Sequence, residues 1–203
     1  MEVLFYVTKI KSFDGIFGRI AAPIMVRKNR EAEIEANEIL GATQGARLLV
    51  LGFGPGVGLQ DLFRRTQNVK VVGLDPSQIM MEIAAKRNAC EIEAGRLRLI
   101  QATAETISEP EDCFDGAVAV NTIQLCEPFE NSLPEIGRVL KPNAKLVTIT
   151  HDWAAAKHAG SPEIWKARLD SALVAAGFSA IDIFNGKSEK GKAIVVTARW
   201  RAK

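Results

Sequence analysis

The run Gly52-Phe53-Gly54-Pro55-Gly56-Val57-Gly58 constrains this chain more than any other segment. It follows the short apolar stretch Leu48-Leu49-Val50-Leu51 directly and leads into a helical pattern carrying Leu59, Leu62 and Phe63. Four glycines and a proline in seven residues are costly to order. Glycine permits positive φ and leaves no Cβ between backbone and ligand. The helix start behind it adds unpaired N–H donors. Strand, glycine turn and helix start together make a nucleotide site; a tight turn alone is the bland alternative.

Spacing narrows the ligand. A dinucleotide fingerprint needs GxGxxG, but the sixth position is Val57 counted from Gly52 and Leu59 counted from Gly54. The pattern is GxGxG with a further glycine at Gly58, and no GK[ST] ending makes a P-loop. The second apolar run, Val69 to Leu74, ends at Asp75, 17 residues after Gly58. A carboxylate at that strand tip can accept hydrogen bonds from both ribose hydroxyls of an adenosine. By itself it could equally cap the helix behind Pro76-Ser77.

The remaining chain alternates between strand and helix patterns. Leu97 to Ile100, Ala117 to Val120, Leu146 to Thr150, Ile181 to Phe184 and Ile194 to Thr197 are further strand candidates. Helices are expected after Ser77, over Leu133 to Leu140, and from Ser161-Pro162-Glu163 to just before Gly177, where cap, proline and acid stand in the preferred order. Alternation of this kind implies an α/β fold with a mostly parallel sheet covered on both faces. The last two strands, joined by a turn, should pair antiparallel. Ahead of the glycine loop, Val26 to Leu40 reads as an amphipathic helix ended by Gly41. Residues 1–25 mix large apolar side chains with glycines in no regular pattern.

Composition removes several classes. The chain has 203 residues, 47% of them hydrophobic and 25% charged, as befits one globular domain over 1–203. A formal charge of +2 gives no reason to expect nucleic acid. No apolar stretch suffices to span a bilayer, and the N-terminus lacks the order of a signal peptide. Cys90, Cys113 and Cys126 are far apart and offer no ligand spacing, so no metal or disulfide framework is expected and the cytoplasm is the natural compartment.

These features resemble the class I S-adenosylmethionine (SAM)-dependent methyltransferases, especially the small-molecule group that includes the quinone-biosynthesis C-methyltransferases. The resemblance covers about half the chain, from Arg47 to His151. It rests on LLVLGFGPGVG (48–58), VVGLDPSQIM (71–80), ATAE (102–105), FDGAVAVNTIQ (114–124) and EIGRVLKPNAKLVTIT (135–150). It implies a Rossmann-like, doubly wound, seven-stranded sheet with an antiparallel last strand. It also implies SAM as cofactor and a small-molecule methyl acceptor. Gly52, Phe53, Gly54 and Gly56 would carry the methionine part and Asp75 the ribose, with Pro76 also at the cofactor. Met80 or a neighbour would pack on the adenine, Thr103 and Ala104 would bind its edge, and Asn121 would lie near the transferable methyl.

The chain departs from the family pattern two residues before the first glycine, where an acid that helps hold the cofactor's amino end is replaced by Val50. Either affinity is lower or another group substitutes. No catalytic motif is present, as expected for a reaction in which positioning of an activated methyl is most of the work. Gln124, His151 and Trp153 are candidates for the acceptor pocket. His151 is either a general base or a surface histidine at a strand end, and His158 is expected in a loop. Residues 1–40 would form an N-terminal lid and helix. A catalytically weak SAM-binding protein is the first alternative, and a nicotinamide-dependent oxidoreductase, disfavoured by the glycine spacing, a second.

Overall fold

In the computed structural model, residues 16–126, 128–187 and 192–201 are described. The expected lid segment therefore lies largely outside the described residues. A seven-stranded sheet runs in the order β3-β2-β1-β4-β5-β7-β6. Its strands are β1 (Arg47–Leu51), β2 (Lys70–Leu74), β3 (Leu97–Ile100), β4 (Phe114–Val120), β5 (Leu140–His151), β6 (Phe178–Asn185) and β7 (Ala193–Trp200). Pairings among β3, β2, β1, β4 and β5 are parallel. β7 is inserted antiparallel between β5 and β6. This is the Rossmann-like, doubly wound sheet with an antiparallel closing strand that the resemblance implied.

Side chains alternate across each strand, so consecutive residues enter opposite cores. Leu49, Val72, Ala117, Leu146 and Ile194 join one core with α5 (Phe129–Val139) and α7 (Pro162–Ala176). Leu48, Val71, Val118, Val147 and Val195 join the other with α1 (Ile16–Leu40), α2 (Val57–Arg65) and α3 (Gln78–Arg87). Two buried faces explain why the strands read as unbroken apolar runs. The short α4 (Ala89–Glu93) precedes β3, and α6 (Asp152–Ala159) follows β5. The chain winds outward from β1 through β2 to β3, then returns to lay β4 on the other side of β1. The crevice above β1 and β4 is thus the topological switch point where α/β sheets bind ligands.

Three expectations need correction. First, α1 begins at Ile16 and runs through Pro23. The glycines argued against a long helix there, but elongation from a packed second half adds one hydrogen bond per residue fixed and needs no new nucleus. Second, His158 lies in α6 and not in a loop. The Asp152–Ala159 segment is rich in alanine, the best helix former, and α6 packs against α7. Third, most strands extend beyond their apolar cores: β5 starts at Leu140, directly after α5, because its pairing with Phe114 continues past a register irregularity.

The second strand has a glycine for a packing reason. A Cβ on Gly73 would stand 2.8 Å from Phe53 Cδ1 and 3.1 Å from Leu99 Cδ2. Phe53 is buried, so its ring anchors the glycine loop into the core beside β2. Gly73→Ala should overpack this contact and cost about 1–3 kcal/mol in urea unfolding. Adding Phe53→Leu should recover part of the loss. A Gly73→Ala protein that unfolds like wild type would show that the ring does not depend on that space.

Candidate functional site

The glycine loop is held from several sides. Its glycines at 52, 54 and 56 have φ of +61°, +50° and +78°. Asp75 Oδ2 accepts from the Gly54 N–H at 2.9 Å, and Asp75 Oδ1 accepts from the Ser77 N–H at 2.9 Å. Asp75 therefore ties the tips of β1 and β2 together and organises the start of α3, where Ser77 Oγ caps Met80 N–H. From the end of α3, Arg87 Nη1 donates to Pro55 O at 2.6 Å and Asn88 Nδ2 to Gly56 O at 3.2 Å. From α1, Asn37 Nδ2 donates to Gly58 O at 3.0 Å. The tip of β4 closes against Gly52, where a Cβ would stand 2.2 Å from Thr122 Oγ1.

These elements enclose a cavity of about 400 Å³ at the switch point. Gly52, Gly54, Asp75, Pro76, Met80, Thr103, Ala104, Asn121, Gln124 and Trp153 line it, so most of the sequence-predicted site residues come together. Three do not line it. Phe53 points into the core against Gly73. Gly56 faces α3, where a Cβ would meet Asn88 Nδ2 at 2.7 Å. His151 is buried behind Asn121, which overturns the surface reading.

Asn121 links these layers. Its backbone has φ +50°, tolerated by asparagine better than by most residues. Its Oδ1 accepts from the His151 N–H at 2.9 Å, and its Nδ2 donates to Asn29 Oδ1 at 3.0 Å and to His151 Nδ1 at 2.7 Å. That last bond requires a neutral ring with its proton on Nε2. Burial acts in the same sense, pushing the imidazole below its ordinary value. His151 thus orients Asn121 and keeps little capacity to act as a base in the cavity. Trp153 is 56% exposed, stacks on His151 with ring centroids 6.3 Å apart, and has Lys28 Nζ 5.7 Å from its ring. His158 lines the cavity beside it.

The sequence reading missed Lys28 and Glu33, both on α1 and both lining the cavity. Glu33 lies against the loop, close enough that a Cβ on Gly58 would stand 3.2 Å from its own Cβ. Its carboxylate accepts a hydrogen bond from the Gly58 backbone, and burial pushes its pKa up to about 7. Glu33 Oε2 is sealed from solvent and has no hydrogen-bond partner among the described residues. The available signal was an acid directly beside the buried stripe of Ala32 and Ala36. Among the described residues no cluster could hold a metal ion, and no helix is long and apolar enough to cross a membrane.

Comparison with known proteins agrees with this geometry. The family profile described as "Methyltransferase domain" matches residues 48–143. The uncharacterized methyltransferase YdaC of Bacillus subtilis is 30% identical over 164 residues, which are 81% of this chain and 88% of YdaC. The ubiquinone/menaquinone biosynthesis C-methyltransferase UbiE of Geobacter sulfurreducens is 31% identical over 108 residues, 53% of this chain and 42% of UbiE. This chain thus spans most of YdaC but less than half of UbiE. Among solved structures, the [4+2]-cyclase SpnF superposes with a TM-score of 0.73 at 19% identity, over 87% of this chain and 83% of SpnF.

Two outcomes follow from this geometry. Hydrogen bonds to a charged group are worth about 1.5–3 kcal/mol each, so Asp75→Ala should lose at least about 2 kcal/mol in denaturant melts without ligand. Equal stability would show that the loop orders itself without the carboxylate. For Glu33, the unfolded chain gives up its proton near the ordinary carboxyl value of 4.5 and the folded protein only near 7. Its contribution to stability is therefore complete at low pH and is lost as pH rises through about 7. Above that pH, Glu33→Gln should melt at or above the wild-type temperature, and a clear drop would mean that the buried charge stabilises the fold.

Proposed function

The chain belongs to the class I SAM-dependent methyltransferase family, and on that premise we propose that it transfers the methyl of SAM to a small, partly apolar molecule bound beside Trp153. The carrying observation is one cavity that joins a glycine-lined, carboxylate-flanked end to an apolar end and opens beside an exposed tryptophan. A cavity of about 400 Å³ lies within the range of small-ligand sites. It admits a cofactor and a compact acceptor more readily than a polymer.

The residues present suit SAM. Leu74, Met80, Ala102 and Ala104 supply the apolar surface an adenine ring needs. Asp75 carries the carboxylate for the ribose hydroxyls, already fixed by Gly54 and Ser77. Gly52 and Gly54 let the backbone approach the methionine part without a Cβ in the way. Bound there, SAM supplies an electrophilic methyl on a sulfonium. The chain's own task is then to align the acceptor and exclude water, and alignment alone can be worth about 7–11 kcal/mol. Asn121, locked by His151 and Asn29, presents a rigid polar edge at the end of β4. Gln124, buried with Oε1 unpaired among the described residues, offers an acceptor for a substrate N–H or O–H. Trp153 and Leu125 give the outer wall an apolar character.

A second reading, a SAM-binding protein with weak or no transfer, is favoured by one observation: valine at position 50 where the family pattern has an acid. Calorimetry should show SAM and S-adenosylhomocysteine binding with no comparable affinity for NAD. A panel of phenols, quinols, amines and thiols should then reveal S-adenosylhomocysteine release with at least one acceptor class. SAM binding without turnover on any of them supports the second reading, and tighter NAD binding removes both. Within the first reading, Trp153→Ala should raise the acceptor KM several-fold and leave the Kd for SAM unchanged. A parallel loss of SAM affinity would move Trp153 to the cofactor side.

A further inference from the structure

We propose that Glu33, borne by the N-terminal helix α1, is the anionic partner of the α-ammonium group of SAM and takes the place of the strand-borne acid that Val50 lacks. This rests on the cofactor reading above and names a contact within it.

The argument begins with burial. A carboxylate removed from water without a full set of partners is strongly disfavoured unless a cation or several donors meet it. Glu33 accepts one hydrogen bond, from the Gly58 backbone, and its Oε2 has no protein partner among the described residues. The same side chain lines the main cavity together with Gly52 and Gly54. It also lines a small recess beside it with Val50, Phe53 and Gly58. Glu33 thus stands against the glycine loop near the strand position held by valine. Asp75 and Met80 line the same cavity from the β2 and α3 side. If the adenosine lies there, the amino-acid end of the cofactor reaches the loop and α1.

The surroundings suit a carboxylate that waits for a cation. Arg87 of α3 favours its charged form and Asp61 of α2 opposes it, while burial dominates both. Lys28 of α1 and Asp75 share the cavity. Asp61 is engaged elsewhere, accepting from Asn37 Nδ2 at 3.0 Å and from Arg65 Nε at 2.7 Å. Arg87 donates to Pro55 O. An incoming ammonium would bring Glu33 its missing donor and its countercharge together. The proton that the buried acid holds near neutrality would leave as the ligand enters.

The test compares ligands on the full chain. SAM carries the ammonium and a sulfonium; 5′-methylthioadenosine has the same adenosine with an uncharged thioether sulfur and lacks the amino-acid end, and S-adenosylhomocysteine, which keeps the ammonium on an uncharged sulfur, should follow SAM in every arm. A charged hydrogen bond of ordinary strength predicts that Glu33→Gln weakens SAM by about ten- to hundredfold and leaves 5′-methylthioadenosine unchanged. Glutamine keeps the size and the bond from Gly58, so the variant should fold, and its melting curve checks this. A second readout needs no turnover. Below about pH 7, calorimetry of wild type in buffers of different ionisation enthalpy should show proton release on SAM binding. The release should be absent with 5′-methylthioadenosine and absent in Glu33→Gln. Unchanged SAM affinity in the variant, or equal loss for SAM and 5′-methylthioadenosine, overturns the role of Glu33 while leaving the cofactor reading intact. A wild-type protein that binds none of these ligands overturns the cofactor reading and this contact with it.

Discussion

The Asp75 carboxylate accepts one N–H from Gly54 and another from Ser77, and much of the ligand end of the molecule is arranged around that pair of bonds. A loop of glycines has few side chains with which to hold itself, and its backbone entropy is the largest of any residue type. Its order must come from outside. Here it comes from the β2 tip through Asp75, from α3 through Arg87 and Asn88, from α1 through Asn37, and from the core through Phe53. Each of these approaches the backbone too closely for a Cβ, or uses a backbone group that a tighter regular turn would consume. The cavity stays open because its walls are clamped from behind.

The buried ionisable groups divide into two kinds. His151 is kept neutral, and its Nδ1 is committed to Asn121, so it works as a positioning residue. Glu33 is also driven toward its neutral form, but it keeps an oxygen with no protein partner among the described residues. Desolvation is the same physical cause in both. The difference lies in the partners: His151 Nδ1 meets Asn121 Nδ2, whereas Glu33 Oε2 meets no hydrogen-bond partner among the described residues. Perturbed acids in a cleft are enriched at functional sites. Glu35 of α1 also keeps a buried oxygen without a hydrogen-bond partner among the described residues, and Glu33 differs from it in lining the cavity.

Fold and reaction stay distinct. A [4+2]-cyclase shares the architecture at a TM-score of 0.73, and the family match runs over residues 48–143, leaving α1 and everything from α6 onward outside it. Function lives in sites grafted on a fold, so a shared architecture does not carry a reaction with it.

Periodicity and spacing in the sequence alone determined the strand order of events: apolar runs buried on both faces, a glycine turn at the first, an acid at the tip of the second, and an antiparallel closing pair. These are local signals, written in consecutive residues; the family resemblance they carry named most of the ten candidate residues that line one cavity. Only the tertiary structure decided what α1 contributes. Glu33 lies 17 residues before Val50 in the chain and on another element, so no spacing rule connects them. Their proximity arises from helix packing across the sheet. The same holds for Phe53, a loop residue that proved to be core, and for His151, which turned from a candidate base into the support for Asn121. A side chain's protonation and partners follow from what surrounds it in space, and that surrounding is assembled from segments far apart in sequence.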